Sequence, residues 1–290
     1  VRKKAAMGKA MQLATTGSAL REILLGDAQY AGRRVLVPTM GALHRGHLAL
    51  VKHAREVAGP DGVVVVSIFV NPIQFDREDD LEAYPRPLET DLMQCQAAGV
   101  DVVFVPDVRE MYAQDRSTLV TENSLSRSLC GAARPGHFDG VCTVVLKLFM
   151  LSACHVAVFG EKDFQQLAII KRMVRDLDVP VEIIESPTVR ESDGLALSSR
   201  NVRLSSTHRE DAPCIFRALN EAAKLHNADG IIRHARKLLG ESEHLKIDYL
   251  SLVDAETLQP VNDLKRPSIL AAAVFYDDVR LIDHVRISPP

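Results

Sequence analysis

The chain has 290 residues, 47% of them hydrophobic and 25% charged, with a formal net charge of −3 and a pI near 6.4. This is the composition of an ordinary globular protein of one large domain or two, and it argues against a general nucleic-acid or anionic-membrane binder. Cys95, Cys130, Cys142, Cys154 and Cys214 are odd in number and form no C-x-x-C pair, which points to reduced thiols in a cytoplasmic chain rather than disulfides or a zinc site.

The opening VRKKAAMGKAMQL has charge but no long apolar stretch after it, so no signal peptide is expected, and the first ten or so residues are assigned no role. No apolar run reaches the roughly 18 residues of a membrane helix. RRVLVPT (33–39) reads as a strand, and GHLALVKHAREVA (46–58) reads as a helix with Leu48, Val51, Ala54 and Val57 on one face. VVVVSIFV (63–70) is a nearly continuous apolar strand, as in a parallel sheet covered on both faces. A helix over 87–100, a strand over 101–106, a buried helix over 141–152, a strand over 155–160, a helix over 162–177 and a strand over 180–187 follow. Repeated βα units predict a doubly wound α/β sheet for residues 1–187. Beyond it, two helices (207–226 and 229–243) and three strands (246–254, 268–279 and 280–287) predict a smaller α+β domain over 188–290.

VPTMG, FVNPIQF and FGEKDFQQL each directly follow an inferred strand. Doubly wound sheets bind ligands beyond the carboxyl ends of their strands, so the three motifs converge on one rim. The first leads into His44-Arg45-Gly46-His47 at a helix start. A helix N-terminus offers unpaired N–H groups and partial positive charge, Gly46 lets backbone approach a ligand, and each imidazole can donate to a phosphate oxygen. The alternative is that the histidines only cap the helix or pack. A zinc site lacks a nearby third ligand, and neither a P-loop nor a G-x-G-x-x-G motif is present.

H-x-G-H is the signature of the nucleotidyltransferase and class I aminoacyl-tRNA synthetase-like superfamily, whose members pair it with a second phosphate-binding loop. Ser198, Ser199 and Arg200 in ALSSRN suit that loop, the arginine as a bidentate fork. Together with YPR, RPGHFDGVCTVVLKLF and DGLALSSRN, the motifs make the chain resemble the pantoate–β-alanine ligases over most of residues 30–204. The resemblance implies a Rossmann-like domain with a smaller C-terminal lid and a homodimer. It implies condensation of pantoate with β-alanine through a pantoyl adenylate formed from ATP, with a magnesium ion accompanying the nucleotide.

It further implies roles for single residues. His44, His47, Lys162 and Arg200 are the expected catalytic groups on the phosphate chain. Gly160 and Asp163 are expected at the ribose, with Ser198, Ser199 and Met40 also in the ATP site. Met40, Asn71, Gln74 and Gln166 are expected on pantoate, with Pro38, Met40 and Phe69 as apolar walls and Gln165 outside the site. Tyr84, Arg134 and His137 are expected to support the wall or the β-alanine path, near a polar stretch, DREDDLEA, that gates the pocket. Asp91 is the expected magnesium residue. His284 stands where the family usually has asparagine, with little expected consequence. The rival functions are a related nucleotidyltransferase, a tRNA-binding synthetase fragment and a non-catalytic nucleotide-binding regulator.

Overall fold

A computed structural model describes residues 10–289. The opening residues 1–9, to which the sequence assigns no role, lie outside the described residues. In chain order the first unit comprises β1 (Gln12–Ala14), α1 (Gly17–Gly26), β2 (Arg34–Thr39), α2 (Arg45–Ala58), β3 (Val63–Ile68), α3 (Glu78–Glu82), α4 (Leu88–Ala97), β4 (Val102–Phe104), α5 (Val108–Met111), α6 (Leu129–Ala133), α7 (His137–Ser152), β5 (Val156–Gly160), α8 (Phe164–Asp176) and β6 (Glu182–Ser186). Short β1 and α1 lie in a stretch to which no element was assigned, and Thr16 caps α1 by accepting from the Ala19 N–H. The polar 76–83 stretch contains the short helix α3.

The six strands are all parallel, in the order β1-β4-β3-β2-β5-β6. From β2 the chain builds outward through β3 and β4, then returns to the other side of β2 with β5 and β6. The switch point between β2 and β5 opens a crevice at their carboxyl ends. The apolar run of β3 is buried along its whole length. Val63 and Val65 join the core beneath α1, α7 and α8, while Val64 and Val66 join the core beneath α2 and α4. Alternate side chains face opposite layers, so burial on both faces requires an unbroken apolar strand.

The second unit contains α9 (Ser206–Asp211), α10 (Cys214–Ala222), α11 (Ala228–Leu239) and the antiparallel strands β7 (Lys246–Asp254), β8 (Ser268–Tyr276) and β9 (Val279–Ile287), in the order β7-β8-β9. The single helix expected over 207–226 is split in two at Pro213, whose ring and missing N–H interrupt a helix. Leu270, Ala272 and Val274 of β8 pack with Ile215, Leu219 and Ile231, whereas Ile269 and Ala271 belong to the main core. The small sheet is therefore itself covered on both faces. Arg286 ties it to Glu185 at 2.9 Å and Glu161 at 2.6 Å. We propose the boundary between the two units near residue 187, just after β6.

The β2–α2 connection sets where the site begins. Gly41 and Ala42 have φ of 81° and 50°, a left-handed turn that costs Ala42 strain. Asp91 of α4, only 1% exposed, holds it by accepting from the Ala42 N–H at 2.8 Å and the Leu43 N–H at 2.7 Å. Asp91→Ala leaves the two amides of Ala42 and Leu43 without their side-chain acceptor. It should cost about 2–4 kcal/mol in urea unfolding, and a loss below about 1 kcal/mol would mean that the turn holds itself.

Candidate active site

His44 is the N-cap of α2, its Nδ1 accepting from the Gly46 N–H at 3.1 Å. His47, three residues on, accepts at its own Nδ1 from the His44 N–H at 3.3 Å. The pair forms a reciprocal capping box made of imidazoles, with ring centroids 4.0 Å apart. A neutral ring that accepts at Nδ1 carries its proton on Nε2. Burial, reinforced by the nearby Lys162 charge, lowers His44 to about 4. Burial, His44 and Lys162 lower His47 to about 3. Both rings are thus neutral Nε2–H donors at ordinary pH. Capping and donation are compatible, since the cap fixes the tautomer that leaves Nε2–H as a donor. A Cβ on Gly46 would lie 2.8 Å from His44 Cε1 and 2.9 Å from its Nδ1. The glycine makes room for the histidine ring, and it also borders the cavity.

Across the switch point, β5 ends at Gly160 and a 3-10 turn, Glu161–Asp163, leads into α8. Lys162 Nζ is 3.6 Å from Asp163 Oδ1. Burial opposes ionisation of Asp163, but the charges of Lys162 and Arg200 more than offset it and hold the carboxyl below its ordinary range. Ser198 caps a 3-10 turn, Ser199–Arg203, accepting from the Arg200 N–H at 3.3 Å. The Ser199 hydroxyl lies 3.2 Å from the Tyr84 hydroxyl. One cavity is bordered by both histidines, Lys162, Asp163, Gly160, Ser198, Ser199 and Arg200. It therefore brings anion donors from three separate chain segments to face one another.

The other end of the same cavity is lined by Met40, Asn71, Gln74 and Gln166, with Pro38 and Phe69. Asn71, 1% exposed, spends its amide on the protein. It donates to Gln74 Oε1 at 2.9 Å and the Gly140 carbonyl at 3.1 Å, and accepts from the Tyr112 hydroxyl at 2.7 Å. It orients Gln74, whose Nε2 also meets Met40 Sδ at 3.2 Å. Asn71 borders the cavity and also supports Gln74, and its Oδ1, which accepts from Tyr112, keeps a second lone pair. Gly140 allows the backbone of α7 onto this turn, since a Cβ there would sit 2.5 Å from the Ile73 carbonyl. Val141, Val144, Val145 and Leu148 of α7 form the apolar wall. The sequence reading missed Tyr112, Gly140 and this wall. The i, i+3, i+4, i+7 spacing of the four apolar residues was the available signal for the wall.

Arg134 and His137 brace the turn from outside. His137 Nδ1 donates to the Gln74 carbonyl at 2.7 Å, while Arg134 pairs with Asp76 at 2.6 Å. Burial, with Arg134 adding to it, lowers His137 to about 4. Both residues also line a second chamber that runs between the two units and shares Lys162, Asp163, Gln166, Ser198 and Arg200 with the first. Gln165 borders that chamber, but its amide holds the Leu125 and Ser128 carbonyls at 2.8 and 2.7 Å and the Cys130 N–H at 2.9 Å. His284 is 8% exposed and packs 5.2 Å from the Phe164 ring.

Every expected site residue except Asp91 borders the first cavity. Asp91 is corrected from metal residue to turn anchor, because it is buried with both oxygens bonded to Ala42 and Leu43. Among the described residues no group of three or more His, Cys, Asp or Glu is arranged to hold a metal ion. The carboxylate that lines this cavity, Asp163, is paired with Lys162, and Asp80, which lines the second chamber, with Arg200. These residues do not make a protein cage for magnesium.

A family model described as pantoate-beta-alanine ligase matches residues 12–286. The chain is 52% identical over 281 residues to a pantothenate synthetase of Akkermansia muciniphila, covering 96% of this chain and 100% of that one. It is similar to the crystal structure of pantothenate synthetase from Thermus thermophilus, with a TM-score of 0.89 and 45% identity over 96% of this chain and 100% of that one. A pantoate-beta-alanine ligase from Francisella tularensis, complexed with beta-gamma ATP and beta-alanine, superposes with a TM-score of 0.80 at 34% identity, over 95% of this chain and 97% of that one.

The depressed histidines carry a stability signature. His44, His47 and His137 are neutral in the fold down to about 4, 3 and 4, against an ordinary 6.5 when unfolded. Below pH 6.5 the unfolded chain binds protons that the fold refuses, so stability should fall from about pH 6.5 towards pH 4 and be complete above that range. His44→Asn keeps a capping acceptor and should lower the proton slope in urea unfolding over this window by about one proton. An unchanged slope would mean that His44 titrates normally in the fold.

Proposed function

The chain belongs to the pantoate–β-alanine ligase family, and on that premise we propose how its residues condense pantoate and β-alanine to pantothenate with cleavage of ATP to AMP and pyrophosphate. The observation that carries the assignment of roles is the cavity itself. Neutral histidine donors at one helix start face Lys162 and Arg200, and an amide-lined, apolar-walled end adjoins them.

In the first step the pantoate carboxylate attacks the α-phosphorus, and pyrophosphate leaves with the electrons of the bridging bond. Two anions must meet, so positioning and charge stabilisation supply most of the acceleration. His44 and His47 hold the phosphate chain through Nε2–H without adding fixed charge, which favours later release of pyrophosphate. Lys162 neutralises charge developing at the α-phosphate, and Arg200, with the Ser198 and Ser199 hydroxyls, holds the β- and γ-phosphates. Asp163 accepts from the ribose hydroxyls, next to the Gly160 backbone. Gln74 and Gln166 bind the pantoate oxygens, Asn71 keeps Gln74 aimed, and the α7 wall meets the gem-dimethyl group. In the second step the free amine of β-alanine attacks the acyl carbon of the adenylate. AMP leaves, and the amine gives up a proton. Arg134, His137 and Tyr84 line the approach. Enclosure of the cavity protects the anhydride from water.

Magnesium enters with ATP and screens the phosphates when bound. By its resemblance to the family, the protein acts as a homodimer. The reading also includes a cytoplasmic location, supported by five free, buried cysteines. Among the described residues no helix is long and apolar enough to cross a membrane.

The first test is exchange of labelled pyrophosphate into ATP with magnesium, pantoate and no β-alanine. Exchange should require pantoate, and Lys162→Ala should reduce it by about 100-fold or more. Absence of both exchange and pantothenate formation would overturn the reading. Gly140→Ala forces the Asn71–Gln74 turn to move and should raise the KM for pantoate about tenfold, with the KM for ATP nearly unchanged. Equal rises in both would mean that the turn does not belong to the pantoate end.

A further inference from the structure

Asp80, on α3, touches no part of the amide-lined end, yet it grips the phosphate-facing loop. Its Oδ2 accepts from Arg200 Nη2 at 2.8 Å and its Oδ1 from Arg203 Nη1 at 3.2 Å. Arg203 is held from its other side by Asp278 on the β8–β9 turn. Four residues on from Asp80, the Tyr84 hydroxyl meets Ser199 at 3.2 Å, and the Arg200 guanidinium lies 6.0 Å above the Tyr84 ring. At the start of the same segment, Asp76 is paired with Arg134 at 2.6 Å. Residues 76–84 thus form a strap fastened at Arg134, Ser199, Arg200 and Arg203.

How Asp80 divides its oxygens decides its role. A carboxylate that competed with phosphate for Arg200 would take a two-pronged edge of the guanidinium. Asp80 instead gives one oxygen to each arginine. Among the described residues, Arg200 makes one side-chain hydrogen bond to protein, through Nη2. Its Nε and Nη1 donors remain for a ligand. The backbone of Arg200 is already fixed by Ser198, so Asp80 removes the remaining freedom, that of the side chain. It also separates two like charges that would otherwise repel.

We propose that Asp80 is a positioning residue that docks the Ser199–Arg203 turn and holds Arg200 in place for the phosphates before the nucleotide arrives. This rests on the assignment of Arg200 to the phosphates. Pre-set orientation acts chiefly on the transition state, where a misplaced charge is most costly. Asp80→Asn keeps the size and removes the charge. In pantoate-dependent pyrophosphate exchange it should lower kcat about tenfold or more, with the KM for ATP within about threefold of the parent. Asp80→Glu, which restores the charge, should recover part of the loss. An unchanged kcat, or a lowered KM for ATP that marks Asp80 as a competitor, would overturn the proposal.

A second readout needs no turnover. Trypsin cuts after arginine, and the docked turn should resist cleavage after Arg200 and Arg203. Asp80→Asn should speed cleavage there about fivefold or more, with the melting temperature unchanged within a few degrees. Equal cleavage rates would overturn the docking. Asp80→Ser carries the same expectations should the amide variant not fold. If the parent shows no exchange, the functional reading fails, and the proteolysis still decides whether Asp80 docks the turn.

Discussion

The site depends on one local interaction, the mutual capping of His44 and His47 at the head of α2. Each ring accepts a backbone N–H at Nδ1, which starts the helix, selects the tautomer and leaves Nε2–H as the outward donor. The same burial that makes the cap strong keeps both rings neutral. A charged pair would repel itself and Lys162. Two neutral rings coexist 4.0 Å apart, each with its Nε2–H left to donate. Asp91 secures the arrangement from below by fixing the turn that delivers His44 to the cap position.

Charge is handled by pairing ahead of binding. Lys162 has Asp163, Arg200 has Asp80 and Arg134 has Asp76. Such part-buried pairs hold cations in fixed places without the cost of leaving them alone in a crevice. The donors that these cations keep are thereby already oriented. The same cavity also carries uncharged amides, Gln74 and Gln166, and Asn71 holds Gln74 in place.

Much of this was legible in the residues. The periodic apolar runs of β2, β3 and α2 announce buried strands and an amphipathic helix, because each reports a nearby, repeating environment. Three polar motifs directly after strands had to share one rim, because parallel strands all end on the same side. Less was legible where residues act through partners. Asp91 has the chemistry of a metal ligand, and only its burial against Ala42 and Leu43 removes it from that role. That Asn71 also braces Gln74, with Tyr112 and Gly140 on it, shows only in the fold. Short β1 has too little sequence to declare itself; it exists because β4 offers an edge to pair with.

By itself the sequence determined the layered α/β fold, the location of the site at a strand rim and the chemical types gathered there, since all three follow from periodicity and the order of motifs. Only the tertiary structure decided which nitrogen of each histidine faces the cavity, which amides are free and which carboxylates are spent. The reason is distance along the chain. Asp80 and Arg200 are 120 positions apart, and Ala42 and Asp91 are 49 apart. No local pattern encodes such pairings. They exist because packing the sheet against its helices brings the partners together and excludes the water that would otherwise satisfy them.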